Sequence, residues 1–134
     1  MNVSYVKIFN QVVDDFYNEL IEIFPEEVKI KVQYTLFQTI IKANSKKPCT
    51  EFMTKSIPFL EKVAMRDEQF FIGLNKPQLL EALNIQKIWT PELSTVTKNA
   101  IWRYIQSFFT IGIKVIEMPP ETLDIINYII NYTN

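Results

Sequence analysis

The chain has 134 residues, a formal net charge of −1 and a hydrophobic content of 48%. This length and this supply of apolar side chains fit one domain with a real core, and they exclude a disordered or low-complexity chain. We therefore expect a single domain over residues 1–134. Cys49 is the only cysteine, which excludes an intramolecular disulfide and suits a reducing compartment.

No segment has the pattern of a targeting or membrane-spanning sequence. The N-terminus lacks the basic start and apolar run of a signal peptide. The most apolar stretch, residues 108–130, is interrupted by charged residues and by Pro119-Pro120, whereas a spanning helix needs ~20 largely uncharged residues. We expect an intracellular protein without membrane insertion.

Charge is unevenly distributed along the chain. Residues 1–27 have a net charge of −5, residues 28–66 of +6 and residues 67–134 of −2. Such asymmetry can orient a partner. The overall balance is not the strongly basic one of a non-specific nucleic-acid binder.

The first two elements are one clear helix and one ambiguous segment. Apolar residues at steps of three and four predict an amphipathic helix over residues 3–24, ended by Pro25. In residues 28–41 apolar and polar residues alternate as in a strand, although the same apolar residues also form a broad helical stripe. Length, the acidic start and the lysines at the end favour a helix.

The middle of the chain is predicted to contain short helices. A polar loop over residues 44–48 is followed by Thr50, the predicted N-cap of a helix to about Arg66 that is kinked or broken at Pro58. A short element over residues 67–72 ends at Gly73, and Pro77 opens the next helix.

Two longer helices are predicted at the end. Thr90 and Pro91 indicate a helix start, and the strongest late helix runs from about Thr97 to Ile111, with Gly112 at its end. A last helix begins at Pro119-Pro120-Glu121. The predicted fold class is all-α, a single compact bundle of about six helices. The alternative is an α+β fold with one short hairpin formed by residues 28–36 and 111–116.

The residue types needed for most chemistry are missing. There is no histidine, the commonest general base and metal ligand, and one cysteine cannot build a thiolate zinc site. The two glycines, Gly73 and Gly112, are too far apart for a phosphate-binding loop. The acidic residues of the first helix, such as Asp14 and Asp15, are expected to be a solvated face. We expect no enzyme, no catalytic residue, no cofactor and no metal.

Two groups of residues are candidates for contacts. Trp89 and Trp102 are either buried core anchors or exposed contact residues, and Arg103 follows Trp102 as a possible partner contact. Lys42, Lys46 and Lys47 form a basic cluster able to neutralise phosphates, although only two arginines are present for contacts with base edges.

Residues 79–85, then Ile88-Trp89, then the run Thr97-Lys98-Asn99-Ala100-Ile101-Trp102-Arg103-Tyr104-Ile105-Gln106 resemble a segment found in large nucleocytoplasmic DNA viruses. The proteins concerned are small and uncharacterised, and the resemblance covers roughly residues 70–109. It carries over no catalytic residue. It implies a viral protein located in the host cytoplasm or the virion.

The favoured hypothesis is a non-enzymatic viral protein that acts by protein–protein contact, in virion or virus-factory assembly, with a protein partner or by self-association. One alternative is a nucleic-acid-associated regulator that uses the basic residues 28–66. Another is a host-directed helical modulator with an exposed apolar groove that binds an amphipathic host helix.

Overall fold

The described part of the chain contains helices and turns but no strand. The computed structural model describes residues 3–73, 78–116 and 120–132. The elements are α1 (Val3–Ile23), α2 (Val28–Ala43), α3 (Lys47–Ser56), a 3-10 turn (Ile57–Phe59), α4 (Leu60–Ala64), α5 (Gln69–Ile72), α6 (Gln78–Ala82), α7 (Ile85–Ile88), α8 (Thr95–Gly112) and α9 (Pro120–Tyr132). The predicted all-α fold is confirmed.

The alternative hairpin is wrong. Residues 28–36 belong to α2, and residues 113–116 form turns directly after α8.

Among the described elements, five helices have ten or more residues and four have five or fewer. The prediction of about six helices is therefore too low, and the difference comes from the short helices.

Helix α8 is the centre of the packing, with α1, α3, α4 and α9 against it. It contributes seven buried residues: Ile101, Trp102, Ile105, Gln106, Phe108, Phe109 and Gly112. Helix α1 covers it with one stripe at helical spacing: Val6, Phe9, Phe16, Tyr17 and Leu20. The buried apolar residues of the described chain join into one cluster, as expected for one hydrophobic core.

Two predicted caps are wrong. Helix α8 starts after Ser94, whose hydroxyl oxygen accepts a hydrogen bond from the Thr97 amide at 3.1 Å, whereas Thr90 lies in the turn before it. Helix α3 starts at Lys47, because Pro48 fits the first turn of a helix. Thr50 therefore lies inside α3, where its hydroxyl bonds to the carbonyl of Lys46 at 3.2 Å.

Other predicted boundaries agree with the structure. The 3-10 turn at Ile57–Phe59 contains Pro58 and separates α3 from α4. Gly73 caps α5 with ordinary extended backbone, φ −66°, so no left-handed conformation is needed there. Pro77 and Pro119 lie outside the described residues, and α9 runs from Pro120 with Ile126 and Ile129 buried.

The buried amide of Gln106 joins α8 to the end of α4. Its nitrogen donates to the carbonyl of Val63 at 3.0 Å, and its oxygen accepts from Nη2 of Arg66 at 3.0 Å. Arg66 has a left-handed backbone, φ 51°, as the chain turns after α4. Burial, with a further contribution from the cation of Arg103, lowers the pKa of Arg66. These bonds satisfy a polar side chain that would otherwise be costly to bury.

Helices α3 and α8 approach closely at Gly112. A Cβ atom at this position would lie 2.4 Å from Sδ of Met53, whose side chain is fully buried. The missing side chain of Gly112 thus leaves the space that the Met53 side chain occupies.

Gly112→Ala is expected to destabilise the fold by up to about 2 kcal/mol, because overpacking of a filled core costs about 1–3 kcal/mol and the gain from helix propensity is about 1 kcal/mol. Urea unfolding measures the free energy. In Met53→Ala the same replacement is expected to be tolerated, since the clash is removed. Stabilisation by Gly112→Ala alone would show that Met53 moves aside and would contradict the prediction.

Tyr17 attaches α2 to α1 and has a perturbed hydroxyl. Its ring lies 5.7 Å from that of Phe37 and 5.5 Å from that of Tyr34, centroid to centroid. Burial raises the pKa of Tyr17 to about 12, since the phenolate would lose its hydration. In the unfolded chain tyrosine titrates near pH 10. The folded protein therefore binds this proton more tightly, and the associated stability is complete below pH 10 and is lost as the pH rises towards 12.

Tyr17→Phe is expected to reduce the alkaline loss of stability. The raised pKa corresponds to on the order of 2 kcal/mol between pH 10 and 12 in the wild type. Urea midpoints measured across this pH range provide the test, with the exposed Tyr128→Phe as the control. Parallel pH profiles for wild type and Tyr17→Phe would show that Tyr17 is not the group responsible.

Candidate functional site

Helix α2 carries apolar side chains on two faces. The inner face buries Ile30 and Phe37 against the core. Val28, Val32 and Leu36 recur one turn apart on the outside and are 67%, 50% and 49% exposed. We call these three residues the α2 outer stripe. A helix of a monomeric domain normally has a polar outer face, so this stripe is the largest departure from that pattern on α2.

A cavity of about 450 Å³ adjoins the stripe, between α2 and α3. We call it the α2–α3 groove. Leu36 belongs to both, so the stripe continues into the groove. The lining residues come from α1 (Phe9, Val13, Phe16, Tyr17), α2 (Gln33, Leu36, Phe37, Ile40), α3 (Lys47, Pro48, Glu51, Phe52, Lys55, Ser56), α6 (Ala82) and α8 (Phe108).

Aromatic rings form the floor of the groove. The ring of Phe108 lies 5.7 Å from Phe9, 5.5 Å from Phe16 and 5.4 Å from Phe52, measured between centroids. Tilted and edge contacts at this distance are favourable between aromatic side chains. The floor is therefore held by packing between α1, α3 and α8, which makes the cavity a preformed feature of the core.

The predicted lysine cluster lies at one end of this groove. Lys42 is in the last turn of α2, and Lys46 and Lys47 begin α3, so the turn between the helices brings the three together. All three side chains are exposed, and Lys47 forms an ion pair with Glu51 at 3.7 Å. Contact with nucleic acid through this cluster stays a prediction.

Trp89 and Trp102 are buried, with 5% and 3% exposure, so the exposed alternative is wrong for both. Trp89 stacks on Phe71 at 4.0 Å between centroids, and Trp102 lies 4.7 Å from the same ring. The indole nitrogen of Trp89 donates to a carboxylate oxygen of Glu68 at 3.3 Å. The physical reason is that aromatic neighbours pack against both indole rings, and the exposed carboxylate of Glu68 provides a hydrogen-bond acceptor for that of Trp89.

Arg103 is exposed on α8, in a shallow depression that Asp15, Glu19 and Tyr104 also line. Burial, followed by a hydrogen bond with Glu19, raises the pKa of Tyr104 to about 12. No residue lines both this depression and the α2–α3 groove, and α1 contributes different residues to each. The structure therefore does not bring Arg103 together with the lysine cluster, and its role as a partner contact stays a prediction.

Other candidate groups are engaged inside the fold. Cys49 is fully buried, and burial raises the pKa of its thiol to about 11, which disfavours the reactive thiolate. Asp14 accepts a hydrogen bond from the hydroxyl of Tyr34 at 2.6 Å. Within residues 3–73, 78–116 and 120–132, no group of three or more His, Cys, Asp or Glu residues could hold a metal ion.

None of the described helices is long and apolar enough to cross a membrane. Comparison with family models, curated proteins and solved structures finds no match to this chain.

The sequence contained one overlooked signal of the site. Val28, Val32 and Leu36 contribute to the alternating pattern of residues 28–41, and once the segment is taken as a helix they cannot all face the same way as Ile30. A second apolar face was therefore readable from the periodicity. The groove was not, because its walls also include residues of α6 and α8, which are distant in sequence from α1, α2 and α3.

Proposed function

We propose that this chain acts by binding another protein, without catalysing a reaction, and that the contact is made by the α2 outer stripe and the α2–α3 groove. The observation that carries the proposal is the exposure of three apolar side chains in one row, continuous with a preformed apolar cavity. Exposed apolar surface next to a cavity is typical of interaction sites.

The geometry favours a helical partner segment. An amphipathic helix binds a hydrophobic groove through residues spaced at i, i+3, i+4 and i+7, and the exposed apolar row on α2 offers the matching surface. Among the functions that the sequence suggested, this is the helical modulator with an exposed groove.

The proposed setting is a viral one, in the host cytoplasm or the virion, with an assembly role as one form of the contact. What supports this setting is the resemblance of residues 70–109 to proteins of large nucleocytoplasmic DNA viruses. The contact proposal is argued from exposure and packing, mainly of residues of α1, α2 and α3 outside that range, although Ala82 and Phe108 of the groove lining fall inside it.

Site-specific photo-crosslinking in cells that produce the protein tests the contact. With a benzophenone amino acid in place of Leu36, we expect a discrete covalent adduct with a protein. The same amino acid in place of Val96, which is 76% exposed at the start of α8, is the matched control and is expected to give none. Equal labelling from both positions, or no adduct from position 36, would refute the proposed surface.

The second candidate function is nucleic-acid association, favoured by the exposure of Lys42, Lys46 and Lys47 around one turn. Three phosphate contacts predict that log K for mixed-sequence DNA falls with log salt concentration with a slope of about −3. Replacing the three lysines by glutamate is expected to abolish this binding, and Lys87→Glu, an exposed lysine on α7, is the control. A flat or absent signal in the wild type removes this candidate.

A further inference from the structure

Lysines border the α2 outer stripe and the α2–α3 groove on both sides. Lys31 and Lys42 lie three turns apart on α2 and so share one face, beside the stripe. Lys47 and Lys55 line the opposite side of the groove on α3. Residues 28–56 contain six lysines and one glutamate, so an occupant of the groove lies in a positive field.

The positive charge is concentrated at one end. Lys42, Lys46 and Lys47 surround the turn from α2 to α3, whereas Glu26 and Glu27 precede the first turn of α2. Of the residues that the structure describes, no carboxylate lies within ion-pair distance of Lys31 or Lys42. At the first end Lys29 and Lys31 balance Glu26 and Glu27, so the α2 outer stripe runs from an end of balanced charge to a basic end.

From this arrangement we infer the chemistry of the partner, an inference that rests on the proposed function. The occupant is an amphipathic helix of another protein, with large apolar residues on one face and acidic residues flanking them. Its acidic end lies over the lysines at the turn from α2 to α3, and one large apolar side chain enters the α2–α3 groove above Phe108. Charge complementarity of this kind selects the partner and fixes its direction.

A second copy of this chain fits the surface less well. Pairing two copies face to face would oppose two segments that each carry the lysine excess of residues 28–56. An acidic helix adds the groove contact and removes the repulsion.

The test uses the full chain and two labelled model peptides of about five turns with identical apolar residues at i, i+3, i+4 and i+7. In the first peptide the flanking residues are glutamates, and in the second they are lysines. By fluorescence anisotropy at low salt we expect the acidic peptide to bind at least about tenfold more tightly, with the difference shrinking as salt rises. Replacing Lys42, Lys46 and Lys47 by glutamate is expected to abolish or reverse the preference.

Leu36→Lys is expected to weaken binding of the acidic peptide at least about tenfold, although it adds positive charge, because the apolar contact is lost. Val96→Lys, the matched exposed position, is expected to leave binding unchanged. Circular dichroism and urea unfolding establish that each variant is folded before it is compared.

Three results would overturn the inference: equal binding of both peptides, binding of neither, or acidic-peptide binding that Leu36→Lys does not weaken. A dimer in sedimentation velocity that Leu36→Lys dissociates would also overturn it, in favour of a second copy. The adduct from position 36 is read independently of these peptides. If the protein adduct forms but one of these peptide results is obtained, only the inference of an acidic helical partner is refuted. If no adduct forms, the proposed contact surface itself is refuted.

Discussion

Helix α8 is the element that the other long helices cover, since seven of its eighteen residues are buried and lie on one broad face at helical spacing. Helices α1, α3, α4 and α9 provide that cover, and Gly112 leaves space for the Met53 side chain of α3. Helix α2 is not needed against α8, so it packs in an outer position on α1 and α3. It therefore buries little of its own surface, and one apolar face remains for a contact outside the domain.

The helices that periodicity predicts best are those with one buried face. In α1 a solvent-exposed polar face lies opposite the buried stripe from Val6 to Leu20, so that both the helical structure of this segment and its ends could be predicted. The sequence of α2 fits a strand pattern as well as a helix pattern for a physical reason. Two apolar faces on one helix place apolar residues at every second position as well as three or four positions apart. The α3 start was misplaced because Thr50 is a good cap in isolation, whereas the helix begins at Lys47 and has Pro48 in its first turn.

The candidate site was predictable only where its residues are neighbours in sequence. Lys42, Lys46 and Lys47 surround one turn, so their proximity follows from local structure alone. Burial of Trp89 depends on Phe71 and on the carboxylate of Glu68, which tertiary packing brings to it. The α2–α3 groove depends on Phe9, Phe52 and Phe108 meeting from three helices, and no local pattern encodes that meeting.

The light attachment of α2 has a consequence for how the domain opens. Detaching α2 exposes the side chains of Ile30 and Phe37, whereas global unfolding exposes the whole aromatic core around α8. Its backbone amides should therefore exchange with solvent through a local opening of lower free energy than global unfolding. A partner on the outer face of α2 binds only the form in which α2 is packed on the domain, and it therefore slows amide exchange in this helix. The helix that recognises the partner is thus also stabilised by it.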